Sequence, residues 1–381
     1  MGKVAELLEK YNADGVYSVK LNDVLDYEQP SKYIVFSSEY NENYDIPVLT
    51  AGQTFILGYT DETEGIYKAS KNNPTIIFDD FTTSYHWVAF DFKVKSSAMK
   101  MLRSRNNNSL LRYVYHSMAL INYVPKEHSR QWISKYSQFE IPLPHIKVQE
   151  EIVKILDSFT NLIDALNEEL ALRQKQFEYY REKLLTFDEN TERETIKDIF
   201  NTRNGYTPST KNKLFWDGGE IPWFRVEDIR ENGRILNDSK LHITPEAVKG
   251  GKLFKANSII LATSATIGEY ALVLTEHLSN QRFTNLYLTD KYEDMIDMKY
   301  IYHYMFKIAE WCKNHINIGN FNSVDMNGLY RLEVPIPPLK VQHSIAEKLD
   351  AFESLISSLK DEIALRQKQY EYYREKLLTF D

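Results

Sequence analysis

Short polar side chains cluster in three loop-like stretches of the sequence. The first stretch reads FDDFTTSYHW, and the other two read NGYTPSTKNK and ATSATIG. Carboxylates and hydroxyls of this kind can hydrogen-bond to the edges of nucleic-acid bases. The same residue types are common in polar turns, so both interpretations are open at this point. The candidate nucleic-acid contacts are Asp79, Asp80, Thr82, Thr83, Tyr85, Thr207, Ser209, Arg225, Thr263, Ser264, Thr266, Gln281 and Arg282.

The charge of the chain is unevenly distributed. The net charge is −8, and residues 1–80, with 6 basic and 14 acidic side chains, account for the whole excess. Residues 91–140 hold 9 basic against 3 acidic side chains, and residues 197–255 hold 11 against 8. Locally basic patches suit a phosphate backbone, although mixed surface charge is an equally good explanation. The candidate phosphate contacts are Lys93, Lys95, Lys100 and Lys211, and Arg130 is a further candidate contact to nucleic acid.

The sequence lacks the motifs of the common enzyme and metal sites. It contains no GxxxxGK[ST], no GxGxxG, no HExxH and no tetrapeptide like Asn-Pro-Pro-Tyr, and it has one cysteine, Cys312. We therefore expect no catalytic residue, no metal and no cofactor on this chain. No apolar run reaches the roughly 18 residues of a membrane span, and the N-terminus lacks a secretion signal. We expect a cytoplasmic protein without membrane contact.

An internal repeat organises the whole chain. Residues 141–188 recur as 334–381 at a constant offset of 193, and 30 of the 48 positions are identical. Within 171–188 only Phe177, matched by Tyr370, differs. Weaker matches extend the repeat outside this region, since LNDV at 21–24 matches IKDI at 196–199. The chain therefore consists of two similar half-units.

Apolar residues in both copies of the repeat alternate in steps of three and four. This spacing predicts the a/d seam of a coiled coil. One arginine interrupts each seam at the same place, and we interpret it as a polar position that fixes the register. The predicted seam residues are Leu156, Phe159, Ile163, Leu166, Leu170 and Arg173 in the first copy and Leu349, Phe352, Ile356, Leu359, Ile363 and Arg366 in the second.

Short strand-like runs and one helix-like run precede each repeat. The runs at 75–78 and 258–261 are β-branched or aromatic, while 110–121 and 300–311 read as helices. Antiparallel pairing of the long helices is favoured because it keeps the connections local. The sequence thus predicts an α+β fold with two mixed α/β domains in a pseudo-two-fold arrangement, joined by two long antiparallel coiled-coil helices. The predicted segments are 1–143, 144–188, 189–336 and 337–381 for domain, helix, domain and helix.

The combination of these features resembles a known family. The helix entries PLPHIKVQEEIVKILDSF and PIPPLKVQHSIAEKLDAF, the ends ALRQKQFEYYREKLLTFD and ALRQKQYEYYREKLLTFD, and the stretch IKDIFNTRNGYTPSTKNKLFWDGGEIPWFRVEDI carry the likeness. Together they are similar to the DNA-specificity subunit of type I restriction-modification systems. The long, nearly identical repeats are most like the type IC subgroup.

The resemblance implies a non-catalytic subunit that binds double-stranded DNA. Each mixed domain would be a target-recognition domain that reads one half of a bipartite, asymmetric sequence. The helices would set the spacing of the halves and dock two modification subunits. Those subunits would bind S-adenosylmethionine and methylate adenine, and restriction subunits would join to cleave DNA.

Two other functions remain open on the residues alone. A structural coiled-coil scaffold that carries two protein-binding domains would show the same repeat and the same seam. A self-contained methyltransferase is disfavoured because the cofactor motifs are missing. A mobility-shift assay with random duplex DNA distinguishes the first of these from a DNA-recognition subunit.

Overall fold

The computed structural model describes residues 2–50, 54–318 and 322–380. The chain divides into two compact units. Unit 1 comprises Met1–Glu168 and Asp361–Asp381, and unit 2 comprises Glu169–Lys360. Each unit contains one mixed domain and a part of each long helix, which confirms the predicted α+β class.

Unit 1 contains two main sheets and a short ribbon. The four-stranded sheet has the order β2-β8-β5-β6, the three-stranded sheet has the order β4-β3-β7, and β1 pairs with β9. The helices are α1 (Gly2–Tyr11), α2 (Leu21–Val24), α3 (Leu111–Met118) and α4 (Ile146–Leu184), of which α4 continues into unit 2. The strands are β1 (Tyr17–Lys20), β2 (Leu25–Glu28), β3 (Ile46–Leu49), β4 (Ile56–Thr60), β5 (Thr75–Asp79), β6 (Tyr85–Val88), β7 (Lys93–Val94), β8 (Met99–Ser104) and β9 (Glu140–Leu143).

Unit 2 repeats this plan with additional strands. Its sheets have the orders β11-β18-β15-β16-β13 and β14-β12-β17, and two further ribbons pair β10 with β21 and β19 with β20. The helices are α5 (Ile196–Ile199), α6 (Val226–Asn232), α7 (Met298–Asn314), α8 (Met326–Tyr330) and α9 (Leu339–Leu378), of which α9 continues into unit 1. The strands are β10 (Arg193–Thr195), β11 (Phe200–Asn204), β12 (Ile221–Phe224), β13 (Ile235–Leu236), β14 (His242–Ile243), β15 (Ser258–Ala262), β16 (Tyr270–Val273), β17 (Leu278–Ser279), β18 (Phe283–Leu288), β19 (Ile316–Asn317), β20 (Ser323–Val324) and β21 (Glu333–Pro335).

The repeat predicted outside the long helices is present in both units. The matched tetrapeptides LNDV and IKDI form α2 and α5, and each is followed directly by a strand of the main sheet, β2 or β11. A two-stranded ribbon closes each domain, with Tyr17 opposite Leu143 in unit 1 and Arg193 opposite Pro335 in unit 2. The helices α4 and α9 lie inside the predicted segments 144–188 and 337–381.

The core of each domain continues onto the long helices. In unit 1, Leu21, Phe78 and Trp132 share a cluster with Ile152 and Leu156 of α4. In unit 2, a single cluster likewise runs from Ile196, Ile259, Tyr300 and Ile301 to Leu349 of α9. Burial of these apolar side chains fixes each helix to its domain.

The two long helices pair through opposite halves. In unit 1, Phe159 near the start of α4 stacks on Tyr373 near the end of α9, with ring centroids 5.2 Å apart. In unit 2, Tyr180 near the end of α4 stacks on Phe352 near the start of α9, at 5.5 Å. Both contacts agree with the predicted antiparallel pairing.

The predicted seam residues are all covered, wholly or in part. Leu156, Ile163, Leu349 and Leu359 are buried, and the remaining predicted seam positions are half-buried. Arg173 donates to Glu169 and Gln176 of its own helix, and Arg366 donates to Glu362 and Gln369 in the same way. The two arginines therefore find acceptors four residues before and three residues after themselves, which satisfies a polar group at a seam position.

Candidate DNA interface

The turn between β5 and β6, together with the strand residues that flank it, contains five of the predicted contacts. Asp79 is buried, and its Oδ1 accepts hydrogen bonds from the backbone N–H of Phe81 and Thr82 at 2.8 and 3.3 Å. Thr82 Oγ1 donates to Asp79 Oδ2 at 2.7 Å. Thr83 has a φ of 61°, which is unfavourable for a β-branched residue. Asp79 thus stabilises the turn itself, and Thr82 is the exposed side chain of this group.

Asp80 and Lys100 form a buried ion pair. Their charged atoms lie 2.8 Å apart, and the Lys100 side chain is 0% exposed. The Asp80 carboxylate also accepts from the backbone N–H of Trp132 at 2.7 Å. A buried charge must be paired, and removal of one partner is costly. The structure therefore assigns Asp80 and Lys100 to the interior of the domain, which corrects their prediction as a base contact and a phosphate contact.

Lys93 requires the same correction. Its side chain is 0% exposed, and its ammonium group lies 2.8 Å from Glu62 Oε2 and 2.6 Å from the carbonyl oxygen of Glu64. Burial alone would raise the pKa of Glu62, but the contact with Lys93 lowers it. Lys93 is thus a structural cation that ties β7 to the loop at 62–64, and its ammonium group does not face solvent.

Other predicted residues of unit 1 reach the surface. Lys95 is exposed and donates to Tyr40 Oη at 3.1 Å. Arg130 is half exposed and donates to Ser97 Oγ at 3.3 Å. Tyr85 is half-buried against Tyr115, and burial raises its pKa well above the ordinary value. Thr82, Lys95 and Arg130 are therefore the predicted residues of this unit whose polar groups a ligand can reach.

In unit 2, the structure brings two separate predicted stretches together. Thr207 Oγ1 donates to Gln281 Oε1 at 2.5 Å, although 74 residues separate them. Gly205 permits this approach, since a Cβ there would lie 2.2 Å from the carbonyl oxygen of Asn280. Ser209, Lys211 and Arg282 are exposed beside these two residues in sequence. This set of exposed polar groups lies where the chain leaves β11 and enters β18.

The ATSATIG stretch forms the turn between β15 and β16. Thr263 is buried and shares a hydrogen bond with Thr284 at 2.9 Å, so it belongs to the sheet rather than to the surface. Ala265 has a φ of 61°, comparable to that of Thr83 in unit 1. Ser264 and Thr266 are half-buried in this turn. Arg225 is half-buried at the start of α6, where its backbone N–H donates to Asp228 at 2.7 Å.

A basic pocket beside this turn was missed by the sequence reasoning. Arg230, Arg234 and Lys313 line it together with Thr266, and it has a volume of about 380 Å³. Arg234 stacks on Tyr270, with its guanidinium carbon 4.6 Å from the ring centroid, and Arg230 lies 3.6 Å from Glu269. The available signal was the presence of two arginines only four residues apart, Arg230 in α6 and Arg234 just before β13.

Equivalent hydrogen bonds attach each domain to the long helix that follows it in the chain, α4 in unit 1 and α9 in unit 2. Gln149 Oε1 accepts from the backbone N–H of Leu110, and Gln342 Oε1 accepts from that of Asp297, both at 2.9 Å. His116 Nε2 lies 2.9 Å from Asp157 in unit 1, and His303 Nε2 lies 2.8 Å from Asp350 in unit 2. We call these two sets of residues the joints of unit 1 and unit 2.

In the joint of unit 1, burial and the neighbouring charges act in opposite directions on the pKa values of His116 and Asp157. Burial lowers the pKa of His116, although the Asp157 carboxylate opposes this effect. For Asp157, burial alone would raise the pKa, but hydrogen bonds from His116 and Arg112 lower it. His116 is therefore a neutral ring beside an ionised carboxylate at neutral pH.

One group of joint side chains in unit 2 is close enough to share a metal ion. Among the residues that the structure describes, His303, Asp350 and Glu353 form this group. Lys299 already bonds Asp350 at 2.6 Å, and Tyr302 donates to Glu353 at 3.1 Å. Because these acceptors are already satisfied by cations and donors of the chain, we interpret the group as part of the joint.

Among the described helices, none is long and apolar enough to cross a membrane.

Comparisons with known proteins agree with this arrangement. The sequence model of the type I restriction modification DNA specificity domain matches residues 14–172 and 188–365. The EcoR124I/EcoR124II specificity subunit of Escherichia coli is 44% identical over 390 residues, covering 94% of this chain and 93% of the relative. The EcoprrI specificity subunit of Escherichia coli is 48% identical over 196 residues, covering 49% of each.

A solved structure shows the same fold. The crystal structure of the S subunit of a type I restriction-modification system from M. genitalium aligns over 96% of both chains with a TM-score of 0.63 at 14% identity. The family match covers most of this chain, and the long relative covers nearly all of it. The chain therefore belongs to the DNA specificity subunits of type I restriction-modification systems, which recognise DNA and do not themselves catalyse its modification or cleavage.

Proposed function

We propose that the two mixed domains each read one half of a bipartite, asymmetric DNA sequence. The observation that carries the proposal is that both domains have an equivalent framework but different polar side chains at equivalent places. The turn after the central strand is DDFTTS in unit 1, between β5 and β6, and TSATIGE in unit 2, between β15 and β16. Different side chains on one framework favour recognition of different sequences.

The accessible polar residues supply the candidate contacts. In unit 1 these are Thr82, Lys95 and Arg130, and in unit 2 they are Thr207, Ser209, Lys211, Gln281 and Arg282 together with Arg230, Arg234 and Lys313 of the basic pocket. Lysines and arginines suit phosphates, whereas a glutamine such as Gln281 can pair with adenine. Asp79, Thr83, Tyr85, Arg225 and Thr263 support the framework, and Ser264 and Thr266 lie at the edge of the pocket.

The chain acts within a larger assembly. Membership of the family implies assembly with DNA, modification subunits and restriction subunits. We further propose that the two long helices set the spacing of the half-sites and dock two modification subunits, which bind S-adenosylmethionine. The near-identical repeats support this proposal and the assignment to the type IC subgroup, and the cytoplasm is the expected location.

A domain exchange tests independent reading of the two halves. Residues 189–336 are replaced by the equivalent domain of the EcoR124I specificity subunit, and methylated adenines are mapped by sequencing the DNA of cells that express the complete modification enzyme. We expect one half of the methylated sequence to change. The matched control replaces residues 1–143, and the other half should then change. A change in both halves after either exchange would contradict independent reading.

A further inference from the structure

One helix of unit 1 has no counterpart among the described residues of unit 2. The helix α1 precedes the ribbon strand β1, whereas in unit 2 residues 185–192 lead from α4 directly into the equivalent strand, β10. No helix forms within residues 185–192. The two units therefore share a framework, but unit 1 carries an added helix where its domain meets its long helix.

The helix α1 lies across the first turns of α4. Lys3 Nζ is 2.7 Å from Glu151 Oε2. The ring of Tyr11 stacks on that of His145, with centroids 4.5 Å apart. Val148 lies between these two contacts along α4 and shares a hydrophobic cluster with an apolar residue of α1. Because Val148 is 0% exposed, we conclude that α1 covers the apolar side of this helix turn.

The equivalent surface of unit 2 is bare. At the repeat offset of 193, Val148 corresponds to Val341 in the first turn of α9. Val341 is 42% exposed, and Leu339 of the same turn is 36% exposed. The same side chain at the same place in the repeat is thus buried in one unit and open in the other. Covering this turn would remove apolar surface from water, which is favourable.

A cleft adjoins the bare turn. It has a volume of about 590 Å³ and lies between the junction after α4, the segment before α7 and the entry to α9. Leu339 lines the cleft as well as the bare turn. The other apolar residues of the cleft are Met295, Ile336, Pro337 and Pro338. The apolar surface of α9 therefore continues from the helix onto the domain.

The polar side of the cleft is acidic. Asp188, Glu192 and Asp294 line it, and all three are exposed. Among the residues that the structure describes, none of the three has an ion-pair partner. A cationic side chain that enters the cleft would meet three carboxylates without competition from a cation of the chain. The cleft therefore favours a basic occupant.

Unit 1 shows which kind of element fits such a surface. The apolar residues of α1 are Val4, Leu7 and Leu8, at helical spacing, and all three pack against the core of unit 1. Lys3 supplies a cation at the start of the helix. A helix with the same apolar spacing and additional basic residues would match both the bare turn and the acidic cleft of unit 2.

We propose that the bare turn and the cleft form a docking site for one short, basic amphipathic helix of a partner protein. We call this surface the α9 entry site and define it by Asp188, Glu192, Asp294, Leu339 and Val341. The site is available once per chain, because α1 occupies its counterpart in unit 1. A partner that binds here is therefore added singly, in contrast to the two modification subunits of the proposed function.

The test measures binding of synthetic peptides that copy α1 to the full chain. One peptide has the natural sequence of residues 1–13, and the second carries Glu6→Lys and Glu9→Lys. Isothermal titration calorimetry should show one bound peptide per chain. The basic peptide should bind about threefold or more tightly than the natural one at low salt. This preference should shrink as salt is added, since ions screen exposed charges.

Variants of the chain locate the bound peptide. Val341→Asp should lower the affinity for both peptides by at least about tenfold, because it places a charge in the centre of the apolar contact. Glu192→Gln with Asp294→Gln should remove the preference for the basic peptide and leave binding of the natural peptide in place. Thermal unfolding should be unchanged in these variants, since the altered side chains are exposed.

Two controls accompany these variants. Leu355→Asp alters an apolar residue of α9 that is 39% exposed and lies outside the site, so peptide binding should stay at the wild-type value. Deletion of residues 1–12 uncovers Val148, and the shortened chain should bind two peptides. The comparison of Val341→Asp with Leu355→Asp decides the proposal even if the shortened chain does not fold.

The alternative outcomes are distinct. Equal binding to the wild type and to Val341→Asp, or no peptide binding to the wild type, would overturn the α9 entry site. If no peptide binds and Val341→Asp abolishes self-association in analytical ultracentrifugation, a second copy covers the surface and the proposal is wrong. Sequencing of methylated adenines should give the same recognised sequence for every variant, so failure of this site leaves the proposed reading of DNA intact.

Discussion

The hydroxyl of Tyr370 is the one chemical difference between the ends of the two repeats, and the structure shows where it acts. In unit 1 it lies 2.9 Å from Nδ1 of the buried His116. The other ring nitrogen, Nε2, lies 2.9 Å from the Asp157 carboxylate. An ionised carboxylate can only accept, so Nε2 carries the hydrogen, and Nδ1 accepts from the Tyr370 hydroxyl. The first repeat has Phe177 at the equivalent position.

We predict that Tyr370→Phe destabilises unit 1 by about 1–3 kcal/mol, because it leaves the buried Nδ1 of His116 without a donor. The phenyl ring stays, so the change removes no apolar contact and creates no large cavity. In hydrogen exchange, this free energy corresponds to protection that is roughly 5- to 150-fold lower. The loss should appear in α3 and β5 of unit 1 and be absent from α7 and β15 of unit 2.

Hydrogen-exchange mass spectrometry at neutral pH provides the measurement, with peptides from both units in one experiment. Tyr372→Phe is the matched control, because the Tyr372 side chain is exposed and its loss of a hydroxyl should change protection in neither unit. Equal loss of protection in both units, or a change of less than about twofold in unit 1, would show that the Tyr370 hydroxyl does not stabilise the joint.

Three further predictions concern a buried histidine, a buried ion pair and an accessible lysine. Burial lowers the pKa of His277 in unit 2 to about 4, below the value of about 6.5 in an unfolded chain, so stability should fall by about 3 kcal/mol as the pH falls from 6.5 to 4. Urea unfolding at pH 7 and pH 4.5 should show this acid loss in the wild type and a smaller loss in His277→Gln, and an equal loss in both would refute it. Lys100→Met should lower stability by roughly 3–5 kcal/mol by removing the close, buried partner of Asp80, whose other cation, Arg130, lies 4.0 Å away. Lys211→Gln should leave the free energy of unfolding unchanged and reduce the slope of log binding constant against log salt concentration by roughly one unit. If instead Lys211→Gln destabilised the fold and Lys100→Met changed only the salt dependence of DNA binding, the assignments of Lys100 to the interior and Lys211 to the DNA surface would be reversed.

The long helices were predictable from sequence because their signal is repeated along many residues. Apolar residues spaced alternately three and four positions apart over several turns fit a long helix and few other structures. The helices α4 and α9 lie within the segments that this spacing predicted. The matched tetrapeptides at 21–24 and 196–199 were equally informative, since both form short helices at the same place in their domains. Periodicity and internal repetition are local properties, and the sequence shows them directly.

The candidate site was less predictable because it depends on contacts between distant residues. Lys93 and Lys100 counted as surface charge, but their partners Glu62 and Asp80 precede them in other elements, and a count of charges cannot show such pairing. No sequence signal warned of this for Lys100, since Met99, Lys100 and Met101 alternate as in a half-buried strand. In the structure, β8 is buried on both faces over residues 99–102. The contact of Thr207 with Gln281 likewise arises only when β11 pairs with β18.

The joints explain some of the identities between the first halves of the two repeats, residues 146–170 and 339–363. Gln149 and Gln342 are identical because each donates to two carbonyl groups at the domain boundary, Asn108 and Pro144 in unit 1 and Met295 and Pro337 in unit 2. The aspartates that hold His116 and His303 are identical for the same reason, since a buried imidazole requires an acceptor. Internal contacts therefore account for these two identities outside the seam. They do not account for Leu172 and Leu365, which are exposed in both helices.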